Sequence, residues 1–410
     1  MACLPEYPVW AIIQDMLSAP QSELIWVERP QELHKAVASL LRYPRLAVDT
    51  ESNSLYAYRE QVCLIQVSTG ESDYLIDPLA LDDLSPLGEV FASPQIEKIF
   101  HAAEYDLICL KRDFGFSFVN LFDTMLAGRI LGCSETGLAA MLENEFGIRL
   151  DKKYQRANWG RRPLPRELLD YARLDTYYLL PLRERLAEEL HQRGRWELAR
   201  EDFHRLCFTA VPAANGASNC WRISGSRTLS PQEAAVLHEL YRYREQKARE
   251  ANLPLFKVLS DESLLKLALD QPNSLEALAV SGILSPRQIQ RHGEGLLRAI
   301  QRGRRAAPLY PPNGATRPAE DMLQRLEALR EWRKQAGRML EVPSDVVLPR
   351  DVLEEIAHAC PRTLDELASV MHDLPWRFQQ FGKQILSVVS RFPPPVVRNS
   401  VKEKLSERSS

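Results

Sequence analysis

The C-terminal half of the chain contains the same helical pattern twice. The first copy runs from Leu240-Tyr-Arg-Tyr-Arg to Pro272-Asn-Ser-Leu-Glu, and the second runs from Leu329-Arg-Glu-Trp-Arg to Pro361-Arg-Thr-Leu-Asp. Each copy has a helix, a proline turn, a second helix and a proline-capped helix in that order. The copies lie roughly 90 residues apart, a period too long for a solenoid, so the sequence predicts two duplicated helical domains.

The predicted domain boundaries follow from breaks in this pattern. Ser230, followed directly by Pro231 and three residues later by Glu233, is a strong helix start for the first helical domain. A linker with four prolines separates the two helical domains. The predicted units are a first domain at 1–208, a linker at 209–229, helical domains at 230–305 and 319–392, a proline-rich linker at 306–318, and a disordered tail at 393–410.

The first 208 residues start with strand patterns and continue with helical ones. The strand candidates are Ser22–Val27, 46–51, Val62–Ser68, Asp73–Asp77 and Lys98–His101. The helical candidates are Pro30–Leu41, Ala102–Arg112, Phe122–Leu131, Gly137–Phe146 and Arg166–Arg193. The short connections from the second to the fourth strand candidate predict an antiparallel meander. Strands followed mainly by helices predict an α/β domain in which helices flank a mixed sheet.

The composition limits the partners and the compartment of the chain. A net charge of −3 gives no overall basic signal, so a nucleic-acid surface has to be built from local Lys and Arg clusters. The seven cysteines include no CxxC pair and predict reduced thiols in a cytoplasmic protein. The sequence shows neither a signal-peptide pattern nor a run of about 20 apolar residues. We therefore expect no membrane partner, and no obligate protein partner is evident.

Four carboxylates and a tyrosine form the candidate catalytic set. Asp49 and Glu51 end a strand candidate, and the two-residue period of a strand places both on one side. Asp106 lies in the first turn of the helix after the strand candidate at 98–101, and Tyr171 shares a helix face with Asp175 four residues later. Phosphodiester hydrolysis needs a hydroxide and charge stabilisation, which two Mg²⁺ ions roughly 4 Å apart can supply.

Each of these residues also has a structural interpretation when it is taken alone. An Asp-x-Glu pair is more often an acidic strand end, and Asp106 could simply complement the dipole of its helix. Tyr171 and Asp175 could belong to a solvated helix face. His101 could be a substrate contact or a buried histidine whose hydrogen bonds are satisfied. Asp123 is predicted to cap a helix.

The order of the motifs along the chain favours the catalytic interpretation over the structural ones. Asp49-Thr-Glu on a strand, Tyr105-Asp at a helix start and Tyr171-Ala-Arg-Leu-Asp on a later helix resemble the DEDDy family of 3′→5′ exonucleases. Val62-Cys-Leu-Ile-Gln-Val-Ser and Trp159-Gly-Arg-Arg-Pro resemble the ribonuclease D branch, and the duplicated helical blocks resemble HRDC domains. The resemblance implies a ribonuclease H-like α/β exonuclease domain followed by two all-α HRDC domains.

The resemblance also implies roles for the motif residues. The four carboxylates would bind two divalent metal ions, Mg²⁺ or Mn²⁺, with Asp49 bridging both, and Tyr171 would hold the nucleophilic water. The implied substrate is RNA with a free 3′ end, tRNA precursors in particular. Two positions depart from the family pattern. Ser52 stands where a bulky apolar residue is common, and His101-Ala-Ala-Glu occupies a position that is often Asn.

The segment 152–162, which is rich in basic and aromatic residues, precedes the Tyr171 helix. Phosphate contacts together with a stacking ring suit a single strand, and the alternative is a solvated loop with Trp159 in the core. The predicted nucleic-acid contacts are Thr50, His101, Lys152, Lys153, Trp159, Arg161 and Arg162.

Three functions remain open from the sequence. The first is a 3′–5′ exoribonuclease. The second is the same chemistry on single-stranded DNA, because spacing alone does not reveal a residue that reads the 2′-OH. The third is a non-catalytic RNA-binding scaffold, which predicts a missing ligand, whereas all four carboxylates and Tyr171 are present.

Overall fold

The computed structural model describes residues 22–151, 153–212, 220–312 and 319–393. The predictions for residues 1–21, Lys152, 213–219, 313–318 and 394–410 lie outside the described residues. The first domain is built on a six-stranded sheet with the order β1-β4-β3-β2-β5-β6. The strands are β1 Glu23–Val27, β2 Arg45–Ser52, β3 Val62–Ser68, β4 Ser72–Ile76, β5 Glu97–Phe100 and β6 Leu121–Asp123.

The sheet is mixed, as the strand pattern predicted. Strands β2, β3 and β4 are antiparallel and form the predicted meander. Strands β1 and β4, β2 and β5, and β5 and β6 pair in parallel. The strand that ends in Asp49 and Glu51 therefore lies inside the sheet, between β3 and β5.

Eight described helices surround this sheet. They are α1 Pro30–Leu40, α2 Ser85–Ala92, α3 Glu104–Phe114, α4 Thr124–Leu131, α5 Leu138–Phe146, α6 Arg166–Tyr177, α7 Leu179–Gln192 and α8 Trp196–Cys207. One face of the sheet packs against α1, α2 and α3, and β2 contributes Leu46 and Val48 to that core. The other face packs against α4 to α8, and β2 contributes Ala47. This alternation along β2 turns Asp49 and Glu51 towards the α6 side.

Two element predictions were wrong in their details. The helix predicted over Phe122–Leu131 starts only at Thr124, because Leu121–Asp123 forms the edge strand β6. Three residues are too short for a strand pattern to be recognised. Asp123 nevertheless caps the helix as predicted, since its carboxylate accepts a hydrogen bond from the Leu126 amide at 2.9 Å. The pattern predicted over Arg166–Arg193 is two helices, α6 and α7.

The two helical domains fold with the same order of elements. The first contains α9 Pro231–Ala251, α10 Leu255–Val258, α11 Asp261–Asp270, α12 Leu275–Val280 and α13 Pro286–Arg305. The second contains α14 Glu320–Leu340, α15 Ser344–Val347, α16 Arg350–Ala359, α17 Leu364–Val370 and α18 Pro375–Val389. Ser230 caps α9 through a capping box with Glu233, as its sequence predicted. None of the described helices is both long and apolar enough to cross a membrane.

The first helical domain contacts the loop between β2 and β3. The Tyr58 amide donates to Asn252 Oδ1 at 3.2 Å, and the Tyr58 hydroxyl donates to Glu245. The Lys257 ammonium lies 4.3 Å from the centre of the Tyr56 ring. This loop directly follows the strand that carries Asp49 and Glu51, so the domain rests beside the candidate site.

The second helical domain docks through a buried ion pair. The Arg377 guanidinium is 0% exposed and donates to Glu201 at 2.9 Å and to Asp202 at 2.8 Å, both on α8. Val346 packs into the core of the first domain. Arg129 on α4 pairs with Asp345 at 2.5 Å. Separating the two domains would leave Glu201 and Asp202 without their Arg377 donor, so this buried network favours the docked arrangement.

Candidate active site

The structure brings three of the four predicted carboxylates and Tyr171 together at one cavity, with the fourth carboxylate buried beside them. Asp49 and Glu51 come from β2, and Tyr171 and Asp175 come from α6. These four side chains line a cavity of about 720 Å³. Asp106, in the first turn of α3, is 8% exposed and lies behind this lining.

Thr50 connects Asp106 to the carboxylate strand. Its hydroxyl donates a hydrogen bond to Asp106 Oδ1. Because side chains alternate along β2, Thr50 reaches α3 while its two neighbours face α6. Strand β2 therefore carries Asp49 and Glu51 and, through Thr50, also positions Asp106.

Burial raises the pKa values of all four carboxylates, and neighbouring carboxylates raise those of Asp49 and Glu51 further. Burial and the charges of Asp106, Asp175 and Glu51 raise the pKa of Asp49 well above its ordinary value. Burial and the same two aspartates raise the pKa of Glu51 to about 9. Burial raises the pKa of Asp106 and the pKa of Asp175 each to about 7. The strongest charged neighbours of Asp49 and Glu51 are thus other carboxylates, and an added cation would relieve this repulsion.

Tyr171 packs in an aromatic cluster at the edge of the carboxylates. Its ring lies 5.8 Å from Tyr154 and 6.2 Å from Trp159 between ring centres. Burial and the charges of Asp175, Glu51 and Asp49 raise the pKa of the Tyr171 hydroxyl. The hydroxyl is therefore a neutral donor that faces the carboxylates at neutral pH.

The donor set fits hard divalent cations. Carboxylate oxygens are the ligands that Mg²⁺ and Mn²⁺ prefer. Within the described residues, no three His, Cys, Asp or Glu side chains form a ready cluster that could hold an ion. Mg²⁺ does not require such a cluster, since it keeps several waters and takes one or two carboxylates together with phosphate oxygens.

His101 lies at the cavity and is also hydrogen bonded, so both of its predicted interpretations remain open. Its Nδ1 lies 2.9 Å from Thr124 Oγ1, and burial lowers the pKa of the imidazole to about 4. A neutral imidazole that lines the cavity can contact a substrate without adding charge.

The sequence prediction missed a second wall of the cavity. It consists of the start of α5 and the segment that follows this helix. An ordinary apolar helix pattern carries no chemical signal, so only the structure could place these residues. They are Glu135, Thr136, Gly137, Leu138, Ala139, Ala140, Leu150, Asp151 and Gln155.

Two predicted nucleic-acid contacts are contradicted by the structure. Trp159 is 1% exposed and packs in the core with Leu64 and Leu168, so its ring is not available for stacking on a base. All the donors of Arg162 are used: two bonds go to Asp77 at 2.6 Å, and the others go to backbone carbonyls. Both residues hold the loop in place. Lys153 and Arg161 are exposed, and Lys152 lies outside the described residues.

Two family models match the chain. The 3′-5′ exonuclease model matches residues 24–191, and the HRDC domain model matches residues 233–300 and 322–389. Ribonuclease D of Nitrobacter hamburgensis is 28% identical over 366 residues, which cover 87% of this chain and 93% of that protein. The chain therefore contains a 3′-5′ exonuclease domain followed by two HRDC domains and is similar to ribonuclease D. The family resemblance, the fold class and the paired HRDC domains predicted from the motifs are thereby confirmed.

Relatives of the ribonuclease D family show how far the similarity extends. The crystal structure of Escherichia coli RNase D, an exoribonuclease involved in structured RNA processing, is 25% identical, with a TM-score of 0.67. The match covers 91% of this chain and 100% of that chain. The exosome complex exonuclease RRP6 of Saccharomyces cerevisiae is 32% identical over 61% of this chain. Protein RRP6-like 3 of Arabidopsis thaliana is also 32% identical, over 62% of this chain. The chain spans 36% of the yeast protein and 31% of the Arabidopsis protein.

The raised pKa values predict how the stability of this protein responds to pH and to metal. A carboxyl group whose pKa is raised on folding stabilises the folded state at low pH and loses that contribution as the pH rises through the folded pKa. For Asp106 and Asp175 this window ends at about 7, and for Glu51 at about 9. We therefore expect the melting temperature in chelator to fall between about pH 5 and pH 9.

Adding Mg²⁺ should reverse this loss, and the increase in melting temperature should be larger at pH 9 than at pH 6. Differential scanning calorimetry with and without Mg²⁺ measures both effects. Glu51→Gln is the control, because it removes one repelling charge and should flatten the profile in chelator. An equal increase in melting temperature on adding Mg²⁺ at both pH values would contradict the assignment of these carboxylates as metal ligands.

Proposed function

We propose that the chain removes nucleotides from RNA 3′ ends by metal-dependent phosphodiester hydrolysis. The observation that carries this proposal is the convergence of four carboxylates and one tyrosine from β2, α3 and α6 at one cavity. Burial raises the pKa values of all four carboxylates, and repulsion from neighbouring carboxylates raises those of Asp49 and Glu51 further, which suits a site that takes up cations. A scaffold without catalytic function would not need to keep this costly arrangement.

Each residue has a proposed role. Asp49, Glu51, Asp106 and Asp175 hold two divalent cations, which when bound supply positive charge at the scissile phosphate. Asp49 would be the central ligand of the set, because the charges of the other three carboxylates all act on it. Tyr171 stays protonated and donates its hydroxyl hydrogen towards the attacking water.

The proposed substrate is RNA with a free 3′ end, and structured precursors such as those of tRNA are its proposed source. The similarity to ribonuclease D proteins supports RNA, and the two HRDC domains docked on the nuclease support a long substrate. Thr50 and His101, which line the cavity, and the exposed Lys153 and Arg161 are the proposed contacts to nucleic acid. The cytoplasm is the proposed compartment, since the six described cysteines are free thiols.

The test uses 5′-labelled oligomers of RNA and DNA with the same sequence, in Mg²⁺ or Mn²⁺. We expect RNA products that shorten one nucleotide at a time from the 3′ end, with DNA degraded more slowly. RNA that carries a 3′-phosphate should resist degradation if the enzyme needs a free 3′ hydroxyl. Faster degradation of DNA would contradict the proposed substrate class, and internal cleavage would contradict the proposed direction.

Replacing Tyr171 by Phe tests the role of the hydroxyl. We expect the rate of single-nucleotide removal to fall by about 10²-fold, a size typical of one lost hydrogen-bond donor to the reacting groups. Affinity for RNA and for Mn²⁺ should stay within about twofold, because the ring that packs against Tyr154 is retained. Single-turnover kinetics and equilibrium titrations separate the two effects.

Tyr154→Phe is the matched control, since Tyr154 belongs to the same aromatic cluster but does not line the cavity. It should keep the wild-type rate. Loss of RNA or metal binding in Tyr171→Phe would instead show that Tyr171 is structural.

A further inference from the structure

A buried glutamine beside the carboxylates has no hydrogen-bond partner in the described structure. Gln66 in β3 is 0% exposed, and both its Nε2 and its Oε1 are unpaired. Such groups are rare, because a buried amide loses its hydration without replacement. The neighbouring residues of β3 are mostly apolar, and an apolar side chain could pack at this position without that cost. The polar residue therefore calls for an explanation.

The strand register places Gln66 directly beside Asp49. The two residues are paired across β3 and β2. Paired residues of antiparallel strands project from the same face of the sheet, with Cβ atoms about 4.5–5.5 Å apart. A glutamine side chain can span this distance, so rotation of the Gln66 amide can bring its Nε2 within hydrogen-bonding reach of the Asp49 carboxylate.

Helix α6 covers this face of the sheet and brings Asp175 to the same place. The residue two positions before Gln66 packs in the same cluster as Tyr171. Two positions after Gln66, Ser68 Oγ lies 2.9 Å from Thr176 Oγ1. Gln66 therefore faces the part of α6 between these two contacts, and this part carries Asp175.

We propose that Gln66 is a positioning residue whose amide N–H groups hold Asp49 and Asp175 in the orientation that binds divalent cations. The Nε2 group carries two hydrogens, so it can donate one to each carboxylate and leave the remaining oxygen lone pairs for cations. Partners of this kind orient the ligands of many metal sites. The inference rests on the proposed function and adds to its site a residue from β3.

The test is a calorimetric titration of the full-length chain with Mn²⁺, comparing wild type with Gln66→Met and Gln66→Leu. We expect Mn²⁺ affinity to fall by about tenfold in both variants, as for other lost partners of metal ligands. The melting temperature in chelator should be unchanged or higher, because an apolar side chain replaces an unpaired buried amide. Two variants are used so that the test survives if one of them folds poorly.

Ser226→Ala is the matched control, since Ser226 Oγ is also buried and unpaired but belongs to the segment before the first helical domain. It should leave Mn²⁺ affinity unchanged. Wild-type affinity in both Gln66 variants would overturn the positioning role and leave the proposed function standing. A wild type that shows no saturable Mn²⁺ binding would overturn both. A lower melting temperature in chelator with unchanged affinity would assign Gln66 to packing alone and overturn the proposal.

Discussion

Asp49→Asn is expected to lower the exonuclease rate by about 10³-fold or more, because the charge stabilisation that metal ions supply is worth several kcal/mol. The substitution keeps the shape of the side chain but removes its negative charge. The charges of three other carboxylates act on the buried Asp49, so its replacement would remove the central ligand of the set that would hold the cations. The rate of removal of 3′ nucleotides from labelled RNA in Mg²⁺ measures the effect.

The same substitution should make the metal-free protein more stable, not less. An amide at position 49 removes repulsion from Asp106, Asp175 and Glu51. The melting temperature in chelator should therefore rise, while its increase on adding Mg²⁺ should shrink. This pair of opposite changes separates loss of a metal ligand from a general folding defect.

Asp170→Asn is the matched control for this prediction. Asp170 lies on the same helix as Asp175, but it is exposed and pairs only weakly with Arg166 at 3.5 Å. Its rate and melting temperature should match those of the wild type. Activity that survives in Asp49→Asn would refute the metal-ligand assignment.

Arg377→Met is expected to weaken the docking of the second helical domain by about 3–5 kcal/mol, the usual cost of leaving one partner of a buried ion pair unpaired. Glu201 is buried, and its pKa is raised by that burial even though Arg377 lies beside it. Methionine fills space but leaves this carboxylate and Asp202 without their donor. Urea unfolding should show a separate, earlier transition for residues 319–392, and hydrogen exchange should locate it at the interface.

The double variant Arg377→Met with Glu201→Gln should recover part of the lost stability, since it removes the stranded charge as well. Arg350→Met is the surface control, because Arg350 pairs with Glu354 on an exposed helix face. Its effect should stay below about 1 kcal/mol. An equal effect of Arg350→Met and Arg377→Met would show that burial of the pair is not what holds the domains together.

The placement of most of the proposed catalytic residues could be predicted from the sequence because it depends on local geometry. The positions of Asp49 and Glu51 follow from the two-residue period of one strand, and those of Tyr171 and Asp175 follow from one turn of one helix. Only the order of the motifs along the chain was needed to join these pieces. The site lies where short-range rules determine the side-chain directions.

The features that were predicted wrongly or missed depend on contacts between residues far apart in the sequence. Trp159 and Arg162 look like nucleic-acid contacts in their own segment, but Trp159 is buried in the core under β3, and Asp77 together with backbone carbonyls occupies the donors of Arg162. The interface pair of Arg377 and Glu201 spans 176 residues of sequence, and neither residue lies in a recognisable motif. The unpaired amide of Gln66 is visible only once β3 is placed beside β2.

The pairing of β2 with β3 has a consequence for changes in chain length. Asp49 and Glu51 pair in regular register with Gln66 and Leu64, and the register then shifts between Glu51 and Ser52. A single-residue insertion before Asp49 would turn every later side chain of the strand to the opposite face. An insertion beyond the shift would fall in the loop and leave the carboxylates in place. The proposed role of Asp49 and Glu51 therefore depends on the number of residues in β2 as well as on their chemistry.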